Sequence, residues 1–542
     1  MFEKTTVEEK HRVRYRKKFD LQNPEDSLSM LWNKIPQYIK ITFISACISG
    51  FIAHFYIFAR KLPNHDDIGQ LFGSNYGTAS GRWLLPHILK LDGSFSTPWL
   101  IGVLAILILA LAVCFAVSVM RIRRPLACIL TAAIMVTFPA VTATMTYMFS
   151  ADAYFLSLAL ACFAAFATNK HRLGFIPGAI AITLSMGIYQ SYFGLAAVLM
   201  VGALLFDTMD GELSLKQLIL KGMRFLAALA LGIILYMIIV KITSVSTELV
   251  SYMGISEMGH VSVTQLPQLI YNAYLEYWHF FIKNSFYVHF SVLKYAFAIT
   301  AAATLYLGIF IIIKKKLKIK NIIFLLILAL LYPLAGNLIY LMVPDAPVHI
   351  LMLYGMIGIL IAPIALMEYY LGLSQEYASN NRGNWGKSIR SACCWVIVGT
   401  LAVTAYAYTI FSNEAYLKME LAYEQTYSFS TRLLSAIERT DGYDENTPII
   451  LIGSALDNVA YGPSPELDGI TLPGIADMNE LVNSYTYGYF LRRYVGASNI
   501  IYDIKSENSE KHKDSYEVKM MPNYPAAGSI KVVDNYIIVK FS

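Results

Sequence analysis

Long apolar runs alternate with short polar segments over most of the chain. Each run approaches the ~20 residues that a helix needs to cross a hydrocarbon core about 30 Å thick. The pattern predicts a polytopic α-helical membrane protein with about eleven transmembrane helices, at residues 41–60, 98–120, 125–148, 153–168, 173–189, 192–207, 224–242, 292–313, 322–342, 350–370 and 392–411.

Composition agrees with this prediction and excludes other classes. Of the 542 residues, 56% are hydrophobic and 15% are charged, whereas a soluble domain carries about 25% charge. These values exclude a disordered or nucleic-acid-coating protein and argue against a soluble enzyme of several domains. All six cysteines lie in apolar runs without a CxxC spacing, so neither a zinc site nor a disulfide framework is predicted. The absence of a GxxxxGK loop argues against an ATP-driven pump.

The distribution of basic residues predicts the orientation. If the polar N-terminal tail, residues 1–40, is cytoplasmic, the segments on its side of the membrane hold 25 Lys and Arg, and the outer loops with their flanking residues hold seven, the tail after 411 not counted. Cytoplasmic loops carry such an excess. Residues 41–411 then form the transmembrane domain, with long outer loops at 61–97 and 243–291, and an odd number of spans leaves the C-terminus outside.

The last part of the chain, residues 412–542, is polar and lacks another long apolar run. We expect a small extracytoplasmic α/β domain. Helical spacing occurs at Phe429–Thr440 and Met478–Tyr494, Pro448–Gly453 has the pattern of a buried strand, and Gly528–Phe541 that of a hairpin turning at Asp534 and Asn535.

The first outer loop places Asp66 and Asp67 just beyond the first span. A carboxylate pair at a membrane surface can share a proton, or one member can serve as a general base. A solvated turn is the alternative for a bare Asp-Asp pair. Ser80–Leu91 follows with an apolar face and predicts a helix lying in the interface. Arg82 at its start could bind a lipid phosphate or simply extend toward the headgroups.

Three short outer turns supply further candidates. Asp152 lies between two apolar spans, where an acid marks a site unless it caps the helix. The same turn contains Tyr147, and the next contains Gln190 and Tyr192; an aromatic belt explains these tyrosines as well as sugar binding does. His349 follows Asp345 at another membrane edge, a weak basis for a metal site. The aromatic residues of loop 243–291 favour an interfacial belt.

The motifs NHDD, SGRWLLP, YMFSADAYF and GIYQSYF, together with the terminal GSIKVVDNYIIVKFS, resemble the bacterial type II glucosyl transferase family, whose members glucosylate O-antigen. The resemblance implies a GT-C-like polytopic fold and a polyprenyl-phosphate-linked sugar donor. It also implies an acid in the first outer loop that serves the chemistry, which points to Asp66 and Asp67, then to Arg82 and Asp152.

The resulting hypothesis is a bacterial inner-membrane hexosyltransferase that modifies a surface glycan on the outer face. Its expected partners are the lipid-linked donor, the glycan acceptor, membrane lipids, a flippase and a donor-making glycosyltransferase, with no nucleic acid. No cofactor is assigned, and a divalent metal ion is left open. A lipid-linked-sugar transporter without catalysis is the alternative, and it predicts internal repeats and polar sites near the bilayer centre. A structural protein of the cell envelope is a third hypothesis.

Overall fold

The computed structural model describes residues 23–72, 77–93, 95–243, 262–283, 286, 289–342, 347–376, 385–454, 467, 469–472, 474 and 481–542. Several sequence expectations lie outside these residues. They concern the basic residues before 23, residues 244–261 of the loop expected at 243–291, Asp345, and the beginning of the expected helix at Met478.

Helices dominate the chain up to residue 438. The first half contains α1 (Pro24–Lys34), α2 (Gln37–Arg60), α3 (His65–Gln70), α4 (Leu85–Leu89), α5 (Pro98–Val119), α6 (Pro125–Thr137), α7 (Pro139–Met145), α8 (Ala151–Lys170), α9 (Phe175–Ile188) and α10 (Phe193–Asp210). The second half continues with α11 (Leu215–Thr243), α12 (Leu266–Trp278), α13 (Leu293–Lys314), α14 (Ile319–Gly336), α15 (Ile339–Met342), α16 (Gly358–Glu376) and α17 (Trp385–Glu438).

Within the part of the chain that the structure describes, fewer than eleven helices are long enough to cross a membrane on length and composition alone. Among the described residues, nine helices are long and apolar enough to cross a membrane, and α6 with α7 forms a tenth, bent by 48°. The bend falls at Phe138, which has extended backbone (ψ 136°) because Pro139 follows it. The segment predicted at 173–189 is a shorter apolar helix, Arg172–Ile188.

Contacts between helix ends define two faces of the helical bundle. On one, which we call the loop face, the first loop contacts the turns before α8 and α10 through the pairs Asp67–Phe149 and Ser80–Gln190. On the other, the basic face, Arg121 pairs with Asp207, which also pairs with Lys221. Consequently the bent pair α6–α7 runs from one face to the other, and so do α8 and the short helix α9.

The expected interfacial helix Ser80–Leu91 is smaller than predicted. It consists of a 3₁₀ turn at Thr78–Ser80 and the short helix α4. The backbone N–H of Leu84 donates to the Gly187 carbonyl oxygen at 2.8 Å. A Cβ at Gly187 would come within 2.6 Å of the Trp83 indole. Trp83 therefore packs on the end of α9 instead of forming a lipid-facing stripe, because a glycine there leaves room for the ring.

The tail is continuous with the last long helix. Helix α17 passes the expected boundary at 411 without a break and includes most of the helix predicted at Phe429–Thr440. It leads to the strands β1 (Ile449–Ile452), β2 (Ile501–Tyr502), β3 (Ile530–Val533) and β4 (Tyr536–Lys540), in sheet order β2-β1-β4-β3. Strand β1 is parallel to β2 and β4, and β3 is antiparallel to β4.

Local sequence signals in the tail have mixed outcomes. The predicted strand and hairpin are confirmed, and Asp534 and Asn535 adopt positive φ values of 47° and 62° at the hairpin turn. The helix predicted at Met478–Tyr494 is shorter than expected in its described part, where helical residues begin at Tyr487. That part contains the short helix α18 (Tyr487–Phe490) and a π-helical turn, Leu491–Val495, and it is followed by α19 (Glu507–Lys513) and α20 (Tyr516–Met520).

Candidate functional site

Asp67 is a buried carboxyl group at the start of α3. Its backbone N–H donates to the Asn64 side chain at 2.8 Å, and its Oδ2 accepts from the Asn64 N–H at 3.0 Å, which completes a capping box. Its Oδ1 accepts from the backbone N–H of Phe149 at 2.8 Å. The side chain is only 2% exposed. Burial raises the pKa of Asp67 to about 7, although these hydrogen bonds oppose the shift.

Asp66, the adjacent residue, has a different environment. Its side chain is 21% exposed, and its Oδ1 lies 3.7 Å from His65 Nε2. The hydroxyl of Tyr485, in the tail, donates to the same oxygen at 3.3 Å. The ring of Tyr147 meets the His65 ring edge-on at 6.3 Å. Asp66 is therefore the more accessible member of the pair, at a junction between the first loop and the tail.

Arg493 attaches the tail to α3. Its Nη1 donates to the carbonyl oxygens of Ile68 and Gly69, at 2.7 and 2.8 Å. Its guanidinium lies over the rings of Tyr489 and Phe72, at 4.3 and 5.2 Å. The Ile68 side chain is fully buried in the hydrophobic core of the tail. Sequence reasoning missed Arg493, since no local motif marks it.

Arg82 belongs to a second cluster on the loop face. Its Nη1 donates to the Tyr154 hydroxyl at 2.9 Å, and its guanidinium lies 5.0 Å from the centre of the Tyr189 ring. The two tyrosine rings stack at 4.6 Å. Tyr154 lies five residues after Phe149, the residue that binds Asp67. The turn before α8 and the start of α8 itself thus connect the Asp67 and Arg82 clusters.

Gln190 holds the backbone of the loop just before Arg82. Its Nε2 donates to the Ser80 carbonyl oxygen and to the Tyr236 hydroxyl, both at 2.9 Å. That hydroxyl in turn donates to the Gly81 carbonyl oxygen at 3.2 Å. Gly81 has a left-handed φ of 71°, a conformation that glycine adopts at little cost. Gln190 is thus placed to fix the start of the segment that carries Arg82.

Asp152 lies in the first turn of α8 and is 7% exposed. Its Oδ1 accepts from the Ala153 N–H at 2.8 Å. Asp92 is close enough for the two charges to interact. Sequence reasoning did not single out Asp92, although an acid near the end of a loop that contains Asp66, Asp67 and Arg82 was an available signal.

Tyr192 and His349 are less directly connected to these clusters. Tyr192 is 1% exposed, and its hydroxyl lies 3.3 Å from the Thr144 hydroxyl. Its ring packs edge-on against Tyr189 at 5.2 Å, so Tyr192 supports the Arg82 cluster through Tyr189. His349 precedes a 3₁₀ turn at Ile350–Met352 that packs on α7. Within the described part of the chain, no group of three His, Cys, Asp or Glu side chains could hold a metal ion.

These features define a polytopic helical membrane protein with acidic, basic and aromatic side chains gathered by loops on one face. Residues 55–362 match the model of a protein family described as glucosyl transferase GtrII, so the chain belongs to that family. The match supports glycosyltransferase activity, with a sugar donor and a glycan acceptor. It includes every loop-face residue named above except those of the tail. Comparison with curated proteins and with solved structures found no match.

Proposed function

We propose that the protein transfers a glucosyl or similar hexosyl group from a polyprenyl-phosphate-linked donor to a surface glycan. The reaction would take place at the loop face, turned to the outside of the bacterial inner membrane. The excess of Lys and Arg in the segments of the opposite face supports this orientation. A lipid-linked donor suits an outward-facing site because nucleotide sugars are cytoplasmic. A flippase and a donor-making glycosyltransferase would supply it.

The observation that carries this proposal is the unequal environment of Asp66 and Asp67. Asp67 uses both carboxyl oxygens to accept backbone N–H groups and is nearly inaccessible. Asp66 is partly open. A general base must come within hydrogen-bond reach of the proton that it removes. We therefore assign Asp66 as the base and Asp67 as the positioning residue that connects α3 to the turn before α8.

In the proposed reaction, the acceptor hydroxyl oxygen attacks the anomeric carbon while the bond from that carbon to the phosphate oxygen breaks. The hydroxyl proton moves to Asp66, and the electron pair of the broken bond leaves with the polyprenyl phosphate. Arg82 would stabilise the charge that develops on this phosphate. The contacts of Arg82 with Tyr154 and Tyr189 hold its guanidinium in place for that role.

The test is incubation of purified protein with polyprenyl-phosphate glucose and a panel of glycans, with consumption of the donor as the readout. The wild type should consume donor only when an acceptor is present, and Asp66→Asn should lower the rate by about 10²- to 10⁴-fold. Asp441→Asn, an exposed acid in the tail, is the matched control and should retain the rate. Movement of intact donor between leaflets without chemical change would instead support the transporter hypothesis.

A further inference from the structure

A cavity of about 710 Å³ opens on the basic face, at the end of the bundle opposite the proposed active site. We call it the basic-face cavity. It lies where the start of α2, the end of α5 and the end of α8 meet. Lys40 and Arg60 are twenty residues apart on α2, or about 30 Å. The cavity is therefore separated from the loop face by roughly the thickness of a hydrocarbon core.

Three cationic side chains line the cavity, and each lies over an aromatic ring that also lines it. Lys40 Nζ is 4.7 Å from the Trp32 ring centre, the Arg123 guanidinium 6.0 Å from Tyr38, and Lys170 Nζ 5.2 Å from Phe166. In the described ranges, none of the three cations has a carboxylate within 4.0 Å, and no acidic side chain lines the cavity. Glu368, which pairs with Arg124, partly compensates the charge of Arg123 through a longer-range interaction.

The rest of the lining is mostly apolar and follows the spans into the membrane. It includes Phe43, Leu111, Phe115 and Phe166. Asn169 adds a polar group: its Oδ1 is buried in the cavity wall and has no hydrogen-bond partner among the described residues. The amide can present either its oxygen or its NH₂ group, which donates. The cavity thus combines a cationic rim with an apolar channel.

The helix α1 places this rim at the membrane surface. Leu28, Leu31 and Trp32 are exposed at i, i+3 and i+4 spacing, the pattern of a helix lying in the interface with its apolar side in lipid. Lys34 follows in the last turn of α1. Cations and aromatic rings at that depth meet lipid phosphates, whereas the apolar channel below meets acyl chains.

We propose that the basic-face cavity binds one anionic phospholipid, with its headgroup phosphate among Lys40, Arg123 and Lys170 and its acyl chains along the apolar channel. Charge complementarity and the amphipathic lining favour this occupant over a soluble anion, which would leave the channel unfilled. This inference does not depend on the proposed glycosyl transfer.

The test reconstitutes the full-length protein in phosphatidylcholine nanodiscs that contain about one phosphatidylglycerol in every five lipids. Native mass spectrometry then counts the lipids that the protein retains. The wild type should retain one phosphatidylglycerol. The combined variant Lys40→Gln, Arg123→Gln, Lys170→Gln should reduce its occupancy by about tenfold or more, since each cation strengthens the attraction to an anionic lipid. The variant with Lys40→Arg and Lys170→Arg keeps the charge and should retain the lipid.

The matched control replaces three exposed lysines elsewhere on the basic face, by Lys216→Gln, Lys318→Gln and Lys320→Gln. It should bind as the wild type does, and equal loss in both triple variants would overturn the proposal in favour of nonspecific surface attraction. Equal retention of phosphatidylcholine would also overturn it. Displacement of the lipid by inorganic phosphate at matched concentration would show a simple anion site and contradict the phospholipid assignment. If the cavity triple variant does not fold, Lys170→Gln alone must show a partial loss.

Discussion

The Asp67 carboxylate accepts a hydrogen bond from the backbone N–H of Phe149, a residue 82 positions further along the chain. This bond joins the first loop to the 3₁₀ turn at Met148–Ser150, which leads into α8, and the start of α8 carries Asp152 and Tyr154. Because the other Asp67 oxygen closes the capping box of α3, one side chain sets the position of α3 relative to α8. Asp66 lies in α3, and Arg82 donates to Tyr154 of α8. The two side chains are thereby held on the same face.

Replacing Asp67 should destabilise the loop face more than replacing Asp66 does. Asp67→Ala leaves the N–H groups of Asn64 and Phe149 without their acceptor in a buried place, a loss of about 1–3 kcal/mol. Thermal unfolding in detergent measures this loss of stability, and Asp66→Ala, at the more exposed neighbour, is the control. Equal small effects for both variants would contradict the structural role given to Asp67.

Stability should depend on pH through Asp67. Its folded pKa of about 7 lies above its ordinary value of 3.8, so between these values the folded state holds a proton that the unfolded state has lost. The stabilising contribution is present at pH 4 and is lost as the pH rises to 7, at up to about 1.4 kcal/mol per pH unit. Unfolding curves at pH 5 and 7 should show this decline in the wild type. Asp67→Asn should show less of it, and an unchanged slope in that variant would contradict the assignment.

Arg493 should matter for the position of α3 although it lies outside the family match. Arg493→Ala removes two hydrogen bonds to α3 carbonyl oxygens, and we expect faster proteolysis of the first loop and a lower transfer rate. Arg492→Ala, the exposed neighbouring arginine, is the control and should resemble the wild type. Matching behaviour of the two variants would show that the tail holds α3 by other contacts.

Arg82 should act on the donor. Arg82→Ala should raise the KM for the proposed lipid-phosphate donor by about tenfold or more, because a charge-assisted contact to phosphate is lost, and it should also lower kcat, because charge that develops on the leaving phosphate is less well stabilised. Tyr154→Phe removes only the hydroxyl that accepts from Arg82 and should have a smaller effect of the same kind. Steady-state kinetics at varied donor concentration separates these outcomes. An effect confined to the acceptor KM would place Arg82 on the other substrate.

Local patterns predicted the parts of the fold that depend on local physics. Apolar runs located α2, α5 and α13 to within a few residues, and Asp534-Asn535 located the hairpin turn. They did not predict that the span expected at 392–411 and the helix expected at Phe429–Thr440 form one continuous helix, α17. The apolar part of this helix passes into polar sequence without a stop signal. The bend at Phe138 could be anticipated from Pro139, but its angle depends on packing around both halves.

The candidate site was predictable as a set of residues and not as an arrangement. The outer loops indicated Asp66, Asp67, Arg82 and Asp152 from residue type and position. The difference between Asp66 and Asp67 depends on Phe149 and Tyr485, which lie far away in sequence. Arg493 gave no local signal for the same reason, because its partners are backbone carbonyl groups of a distant loop.

The role of Asp66 as the general base is tested by single-turnover transfer from radiolabelled polyprenyl-phosphate glucose by purified Asp66→Asn and Asp67→Asn proteins. Each must first be shown to fold and to bind donor as the wild type does. If Asp66 is the base, Asp66→Asn should lose about two to four orders of magnitude in rate with unchanged donor affinity. Asp67→Asn, which keeps an oxygen to accept from Phe149, should lose less. Near-normal transfer by Asp66→Asn would contradict the assignment of Asp66 as the base.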